Sequence, residues 1–247
     1  MTRYLAAELL KLRTVRATWG FVVVAVAIAV LATAGNVGGT LAEDRLEPDY
    51  QFRVVLDASF AGLVLSLLLG IVLVTNEFRH GTIARTLLAI PRRGLLLGVK
   101  LLTGATTGVG LMLVSFVVTA AVAGIWLSAL DVPLEHGEVA DAASRAFAAA
   151  VLAGILGAAI GCAVHSQVGA LVGALVWMFV VEPLTWVLLG LLDLDGVPKY
   201  LPASAVGGIV DSSGDGLSFA GSVAVSLAWA TLAAALAFLR LERRDIT

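Results

Sequence analysis

The chain has 247 residues, of which 60% are apolar and only 14% are charged, and its formal net charge is −2. Soluble domains carry about 25% charged residues, so this composition excludes a soluble globular domain and indicates an integral membrane protein. The single cysteine, Cys162, excludes an internal disulfide.

Residues 1–16 are expected to form an amphipathic helix ahead of the first span. Leu5, Leu9 and Leu12 fall on one face of this helix, and its basic residues fall largely elsewhere. Such a helix lies in the headgroup layer with its apolar side down. Two roles fit it: a topogenic anchor, or an elbow that docks a cytoplasmic partner.

Six segments contain the roughly 20 apolar residues that a membrane-spanning helix requires. They are about Ala17–Asn36, Leu56–Asn76, Leu95–Leu130, Ala143–Val164, Val168–Leu192 and Leu217–Leu239. The third segment is too long for one perpendicular span, so we expect it to tilt or to begin as a cytoplasmic extension.

The distribution of basic residues predicts the orientation of these spans. If the N-terminus is inside, 12 of the 16 basic residues lie in cytoplasmic pieces. They are Arg3, Lys11, Arg13, Arg16, Arg79, Arg85, Arg92, Arg93, Lys100, Arg240, Arg243 and Arg244. The positive-inside rule therefore predicts six spans with both termini inside. A cleavable signal peptide ending near Ala32-Thr33-Ala34 is an alternative, which leaves five spans and the same inside C-terminus.

A polar, basic stretch, Glu77–Lys100, interrupts the apolar sequence between spans two and three. Thr82 suits the N-cap of a short helix, and Gly81 before it relaxes the turn. Pro91 ends that helix, because the residue before a proline is disfavoured in α-helical geometry. We therefore expect a short helix, Thr82–Ile90, across the cytoplasmic end of the hairpin of spans.

Glycines at four-residue spacing occur within three predicted spans. The pairs are Gly104–Gly108, Gly157–Gly161 and Gly169–Gly173. Such pairs allow close helix approach, so we expect them to pack within the bundle.

Glu182, followed by Pro183, is an acidic residue well inside the fifth span. An ionised carboxylate there costs on the order of 2.5–3.5 kcal/mol, so we expect it to face the bundle interior, to be protonated or to pair. Arg145 is the nearest candidate partner in the sequence, and Pro183 predicts a kink or break one turn earlier. Two roles stay open: a residue of the substrate path or gate, or a buried contact that fixes the outer end of the bundle.

Residues 193–218 form the last outer connection. Within it, Ala203–Val210 is apolar but too short to span the membrane. This composition favours a re-entrant segment over an ordinary surface loop.

Two sequence motifs, one of nucleotide-binding proteins and one of zinc peptidases, are absent from the sequence. It contains no Gly-x-x-x-x-Gly-Lys-Ser/Thr, so any ATP must be bound by another chain. It contains no His-Glu-x-x-His, and its three histidines fall on both sides of the predicted membrane. We therefore expect neither a catalytic residue, nor a metal site, nor a cofactor in this chain.

The polar stretch resembles the cytoplasmic segment of ABC-2 type transporter permeases, and the likeness extends to the amphipathic helix, the six spans and Tyr200-Leu201-Pro202 before the last span. The resemblance implies a coupling helix within residues 77–93 that inserts into a groove on a cytoplasmic ATPase subunit, which binds ATP and Mg. The coupling residues that it implies are Glu77, Arg79, Gly81, Thr82, Arg85, Leu87, Leu88, Pro91, Arg92, Arg93 and Lys100.

The expected protein is thus an all-α integral membrane protein with one permease domain, residues 1–247. The resemblance implies the permease subunit of an ATP-driven exporter in a bacterial cytoplasmic membrane, paired with a second, identical or related permease. The apolar interior favours a hydrophobic or lipid-like substrate or drug, and we expect contact with lipids but not with nucleic acid. An ion-gradient-driven secondary transporter and a non-transporting membrane scaffold remain alternatives; the first predicts several intramembrane ionisable groups and inverted repeats.

Overall fold

A computed structural model describes residues 2–40, 50–83, 86, 88, 90, 92–132, 136–211 and 216–242. The helices are α1 Thr2–Thr14, α2 Arg16–Gly39, α3 Tyr50–Arg79, α4 Arg93–Ala129, α5 His136–Val164, α6 Gln167–Gly190, α7 Pro202–Val210 and α8 Phe219–Glu242. A 3₁₀ turn, Pro198–Tyr200, precedes α7. The described residues form helices and turns and contain no β-strand, which confirms the predicted all-α class.

Six of these helices, α2 to α6 and α8, are long and apolar enough to cross a membrane. They confirm the six predicted spans, with ends that differ by a few residues. The predicted amphipathic segment is also helical, as α1. The orientation of the spans and the position of α1 in the headgroup layer stay predictions.

The unusual length of the third span belongs to one continuous helix. Helix α4 has 37 residues, which at 1.5 Å per residue makes it roughly 55 Å long, against about 30 Å of hydrocarbon. Helix α4 contacts α1, and Lys100, two turns from the start of α4, pairs with Glu8 of α1. The structure therefore supports an extension of the helix beyond the apolar layer on the side where α1 lies.

Helix α5 is the centre of the bundle and packs tightly against α3 and α4. A Cβ atom at Gly157 of α5 would overlap the backbone carbonyl of Leu67 on α3, and Gly104 of α4 faces Gly154 of α5 equally closely. These contacts confirm that the glycine pairs of α4 and α5 pack within the bundle, because only glycine leaves room for the neighbouring backbone.

The third glycine pair differs from this prediction. A Cβ atom at Gly169 would meet only Ser166, just before its own helix, and Val164, at the end of α5, and no atom lies within 4 Å of a Cβ atom built at Gly173. The prediction of close packing is therefore wrong for this pair, because α6 lies at the edge of the bundle.

The last outer connection contains a packed helix, α7. Its residues Ala205 and Ile209 are fully buried, and it contacts α5 and α8. The Trp229 indole of α8 donates to the Tyr200 carbonyl oxygen at 2.8 Å and holds the turn that precedes α7. Whether α7 enters the membrane from outside stays a prediction.

Candidate functional site

The predicted cytoplasmic segment begins where α3 ends. Glu77 and Arg79 belong to the last turn of α3, and Gly81 follows with a φ of 65°. The Thr82 amide donates to the Glu77 carbonyl oxygen at 2.9 Å. This six-residue closure is the Schellman ending of a helix, which needs a residue that adopts positive φ easily. Gly81 thus sets the direction in which the chain leaves the span.

Helical hydrogen bonds continue beyond this turn. The Thr86 amide donates to the Thr82 carbonyl oxygen at 3.2 Å, and the Ile90 amide donates to the Thr86 carbonyl oxygen at 2.8 Å. Both bonds have the four-residue spacing of an α-helix, and the helix over the whole of residues 82–90 stays a prediction. The predicted coupling residues Arg85, Leu87 and Pro91 lie outside the described residues.

Four charged side chains meet beside the start of this segment, and we call them the charge cluster: Glu8 and Lys11 of α1, Glu77 of α3 and Lys100 of α4. The Lys100 Nζ lies 2.8 Å from a carboxylate oxygen of Glu8 and 2.6 Å from one of Glu77. The Lys11 Nζ lies 2.6 Å from Glu8 and 2.8 Å from Glu77. Each ammonium group therefore contacts both carboxylates, and the cluster joins three helices.

The charge cluster is largely withdrawn from solvent. The side chain of Lys100 is 3% exposed, those of Glu8 and Glu77 are 9% exposed, and Lys11 is 44% exposed. Moving a charge out of water costs several kcal/mol, and only good pairing offsets that cost. Here the charges alternate and cancel, so the cluster is stable as a whole and sensitive to the loss of any one member.

The pairing also changes the acidity of the two α1 side chains. Burial by itself would raise the pKa of Glu8, but Lys100 and Lys11 outweigh it and hold that pKa below its ordinary value of 4.5. Burial by itself would lower the pKa of Lys11, but its hydrogen bonds to Glu77 and Glu8 raise that pKa above 10.5. Both groups are therefore charged across the physiological range.

Glu8→Gln is expected to lower the thermal stability of the protein at neutral pH and to have a smaller effect in acid. Because the pKa of Glu8 is lowered on folding, its contribution is present above about pH 4.5 and is lost as the pH falls through the lowered pKa. The raised pKa of Lys11 keeps its contribution intact up to about pH 10.5.

The measurement is the melting temperature of the full chain in nanodiscs, wild type minus Glu8→Gln, against pH. We expect a constant difference between these limits and a shrinking one in acid. A difference that varies around neutral pH would contradict the pairing scheme.

Glu77 also connects the charge cluster to the cytoplasmic segment. Its carbonyl oxygen accepts from the Thr82 amide, and its carboxylate accepts from the Thr86 hydroxyl at 3.5 Å. A displacement of residues 82–86 therefore acts on the same side chain that binds Lys100 and Lys11. The four elements, α1, α3, the segment and α4, share one polar junction.

The other predicted coupling residues are distributed around this junction. Arg79 donates to the Gln167 side chain of α6 at 3.1 Å, and Arg93 donates to the Leu241 carbonyl oxygen of α8. Arg92 is exposed. Leu88 is 82% exposed, so the segment presents an apolar side chain away from the bundle.

Glu8 and Lys11 were not among the predicted coupling residues. The amphipathic pattern indicated Leu5, Leu9 and Leu12 as the apolar face, whereas Glu8 is the most buried of the described side chains of α1. The available signal was an acidic residue three positions before a lysine in a short helix that otherwise carries no acid. Such a pair is common on solvated helices, so it did not by itself indicate a contact with α3 and α4.

Glu182 lies at the other end of the bundle and is 3% exposed. Its carboxylate accepts from the Trp177 indole at 2.7 Å, from the Ala203 and Ser204 amides at 2.7 and 2.8 Å, and from the Ser204 hydroxyl at 2.8 Å. The two amides are the free donors at the start of α7, where a negative charge is favourable. Arg145, the partner considered from the sequence, instead pairs with Asp141 at 3.0 Å.

The predicted irregularity before Pro183 is present. Residues Trp177–Val181 form a π-helical turn within α6, and the Glu182 amide bonds to the Trp177 carbonyl oxygen across it. Single π turns accompany prolines and functional positions in helices. This turn places the Glu182 carboxylate and the Trp177 indole together under the start of α7.

Glu182→Leu is expected to destabilise the outer half of the bundle by about 2–4 kcal/mol, because it leaves several buried donors without an acceptor. Glu182→Gln keeps one carbonyl oxygen and is expected to lose less. The measurement is thermal unfolding in nanodiscs. Asp193→Asn is the control, because Asp193 is an exposed acidic residue in the connection between α6 and α7. Equal melting temperatures for Glu182→Leu and the control would show that Glu182 does not hold the outer end of the bundle together.

The gating role of Glu182 has a separate test. Normal ATP-driven transport in Glu182→Gln would contradict that role.

Metal binding finds no support in the part of the chain that the structure describes, since no three His, Cys, Asp or Glu side chains come together there.

The sequence was compared with families of known proteins and with curated proteins. A family model described as ABC-2 family transporter protein matches residues 4–181, well over half of the chain. The matched region contains the whole charge cluster and the cytoplasmic segment and ends just before Glu182. The comparison with curated proteins gave no match.

Proposed function

The chain belongs to the ABC-2 transporter family, and from this membership we propose that it is the permease subunit of an exporter driven by a separate ATPase. As a family member it is a multi-pass permease of an ABC transporter, and permeases of this family generally work with an ATPase subunit. The proposal adds the direction of transport, a dimer of permeases with two ATPase chains, and a bacterial cytoplasmic membrane.

The charge cluster is the observation that carries this proposal. An ATPase bound to the permease needs a rigid connection between its docking point and the spans, because a flexible loop would absorb its motion. Glu77 is bonded to both the cytoplasmic segment and the start of α4. Glu8 and Lys11 add α1 to the same junction.

The proposed mechanism is mechanical and uses no chemistry of this chain. ATP binding closes the two ATPase subunits against each other and displaces the helix over residues 82–90. The displacement reaches α3 directly through the Gly81 turn and reaches α4 and α1 through the charge cluster. These helices tilt together, and the outer pathway opens. The resident nucleotide and Mg belong to the partner.

The exposed face of the segment suits the docking role. Leu88 is 82% exposed, and Gly81, Thr82 and Arg92 are also exposed. An apolar side chain surrounded by polar and basic ones fits the centre of an interface between two proteins. A loop that only held two spans together would not need an exposed leucine at this position.

Replacements at the cytoplasmic segment are expected to uncouple ATP hydrolysis from transport. Gly81→Val strains a positive-φ turn, Arg85→Ala removes a basic side chain, and Leu88→Ala removes the exposed apolar contact. The assay uses proteoliposomes that contain the permease with its co-purified ATPase. In each variant we expect about a tenfold fall in ATP-dependent movement of a fluorescent lipid analogue across the membrane, with ATP hydrolysis and insertion unchanged. Leu130→Ala is the control, since Leu130 is an exposed leucine at the opposite end of α4. Normal movement in all three variants would defeat the coupling assignment.

A further inference from the structure

Two adjoining cavities lie between the helices, and no side chain of the charge cluster is among the described residues that line them. The inner cavity has a volume of about 360 Å³ and lies between α3, α5, α6, α7 and α8. The outer cavity has a volume of about 870 Å³ and lies where α3, α6, α7 and α8 meet the last outer connection. Phe60 of α3 and Gly207 of α7 line both cavities, so one begins where the other ends.

The inner cavity is suited to a hydrocarbon. Its lining is almost entirely apolar and includes Leu67, Leu156, Met178 and Leu236. An apolar cavity of about 150 Å³ binds benzene and stays free of water, and this cavity is more than twice as large. Two glycines, Gly173 and Gly207, line it where no atom lies within 4 Å of an added Cβ. The space is therefore open next to these glycines.

Among the described residues that line it, the outer cavity is polar and carries more acid than base. Its described lining contains the carboxylates of Asp57, Asp195 and Asp211 and the cations Arg53 and Lys199. Arg53 and Asp57 are four residues apart on α3 and act on each other electrostatically. The excess is one negative charge, and the Trp186 ring also lines this cavity. Carboxylates and an indole ring together favour a cationic ligand.

We propose that the two cavities bind one amphiphile, whose hydrocarbon tail occupies the inner cavity and whose cationic head occupies the outer cavity. This proposal rests on the proposed function, because it names the chemical class of the transported substrate: a long-chain amine or quaternary ammonium compound. The inner cavity alone excludes a sugar or an inorganic ion, since it offers such a ligand no polar partners. The position of the head follows from the charge of the outer cavity.

The position of Glu182 connects the site to the proposed mechanism. Glu182 holds the start of α7 through Ala203 and Ser204, and α7 lines both cavities through Gly207. Trp186, which lines the outer cavity, donates to the Ser204 hydroxyl at 3.1 Å. A tilt of α3 or α6 therefore changes the shape of both cavities at their common boundary.

The test uses the full chain in phosphatidylcholine nanodiscs without ATPase or nucleotide. The probe is a long-chain alkylamine with a diazirine near the end of its tail, and the comparison probes are the alcohol and the sulfate with the same tail. After irradiation, the labelled residues are identified by mass spectrometry. We expect the amine to label lining residues such as Leu67 and Met178, more than the alcohol and far more than the sulfate.

Two cavity-filling variants and one control make the result specific. Gly173→Leu and Gly207→Leu place a side chain in open space inside the cavity, so we expect at least about a tenfold loss of labelling without loss of folding. Gly110→Leu is the control, because Gly110 also has no atom within 4 Å of an added Cβ but lies on α4 away from the cavity. The double variant Asp57→Asn, Asp195→Asn is expected to reduce labelling by the amine to that by the alcohol.

Several outcomes would overturn the proposal. Equal labelling in Gly173→Leu and wild type would exclude the tail site, and stronger labelling by the sulfate than by the amine would exclude the cationic head. Labelling by all three probes alike would show a site filled by any membrane lipid. Cross-links between two copies of the chain through the cavity would show a seam between permeases. Because no ATPase is present, none of these outcomes bears on ATPase docking.

Discussion

Lys100→Met is expected to destabilise the permease by about 3–5 kcal/mol, the cost of removing one partner from a buried ionic group. The variant leaves Glu8 and Glu77 beside each other with only Lys11, which is half exposed, to neutralise both. The measurement is chemical or thermal unfolding of the full chain in nanodiscs. Arg13→Met is the control, since it removes the same charge from an exposed position on α1.

A double variant separates pairing from general loss of charge. Lys100→Met with Glu77→Gln removes one cation and one anion and leaves the Glu8–Lys11 pair. We expect it to recover part of the lost stability, so that the two changes are non-additive by about 1–3 kcal/mol. Strict additivity, or a loss no greater than that of Arg13→Met, would show that the four side chains do not act as one cluster.

Gly157→Leu is expected to prevent correct packing of α5 against α3. Its side chain would meet the Leu67 backbone carbonyl, which cannot rotate away as a side chain can. Overpacking a well-filled core costs about 1–3 kcal/mol, and a clash with backbone costs more because whole helices must separate. We expect little monodisperse protein in size-exclusion chromatography after detergent extraction.

Gly110→Leu is the matched control for this packing prediction. Gly110 is also a glycine inside a membrane-spanning helix, but a Cβ there meets open space. The control is expected to elute like wild type. Normal elution of Gly157→Leu would mean that α3 and α5 do not approach as closely as the structure shows.

The number and type of the membrane helices were predictable because each span is long and apolar on its own. Hydropathy is a local property, so Arg16–Gly39 or Phe219–Glu242 could be recognised without knowing its neighbours. The turn after α3 was also local, because Gly81 was predicted to relax the backbone before Thr82, and Gly81 has a positive φ there. The neighbours that each helix face contacts depend on the tertiary structure, so the packing of the pair Gly169–Gly173 was predicted wrongly.

The partners of the buried charges depended on tertiary structure. Glu77 and Lys100 were singled out by the resemblance. Their partners on α1 are Lys11 and Glu8, 66 and 92 residues away in sequence, so these contacts require α1 to lie against α3 and α4. Glu182 was expected to face the bundle interior, to be protonated or to pair, and Arg145 was the nearest candidate partner in the sequence. The observed partners are backbone amides, because the start of a helix supplies positive potential without any charged side chain.

The central claim is that the helix over residues 82–90, held by the charge cluster, is the docking point of a separate ATPase. The most direct measurement is purification of the full chain from its native membranes in mild detergent, followed by mass spectrometry of the proteins that remain bound. The account predicts a P-loop ATPase chain bound in equal amount to the permease, lost in Leu88→Asp and retained in Leu130→Asp. A permease that purifies without any P-loop chain, or keeps it fully in Leu88→Asp, would contradict the account.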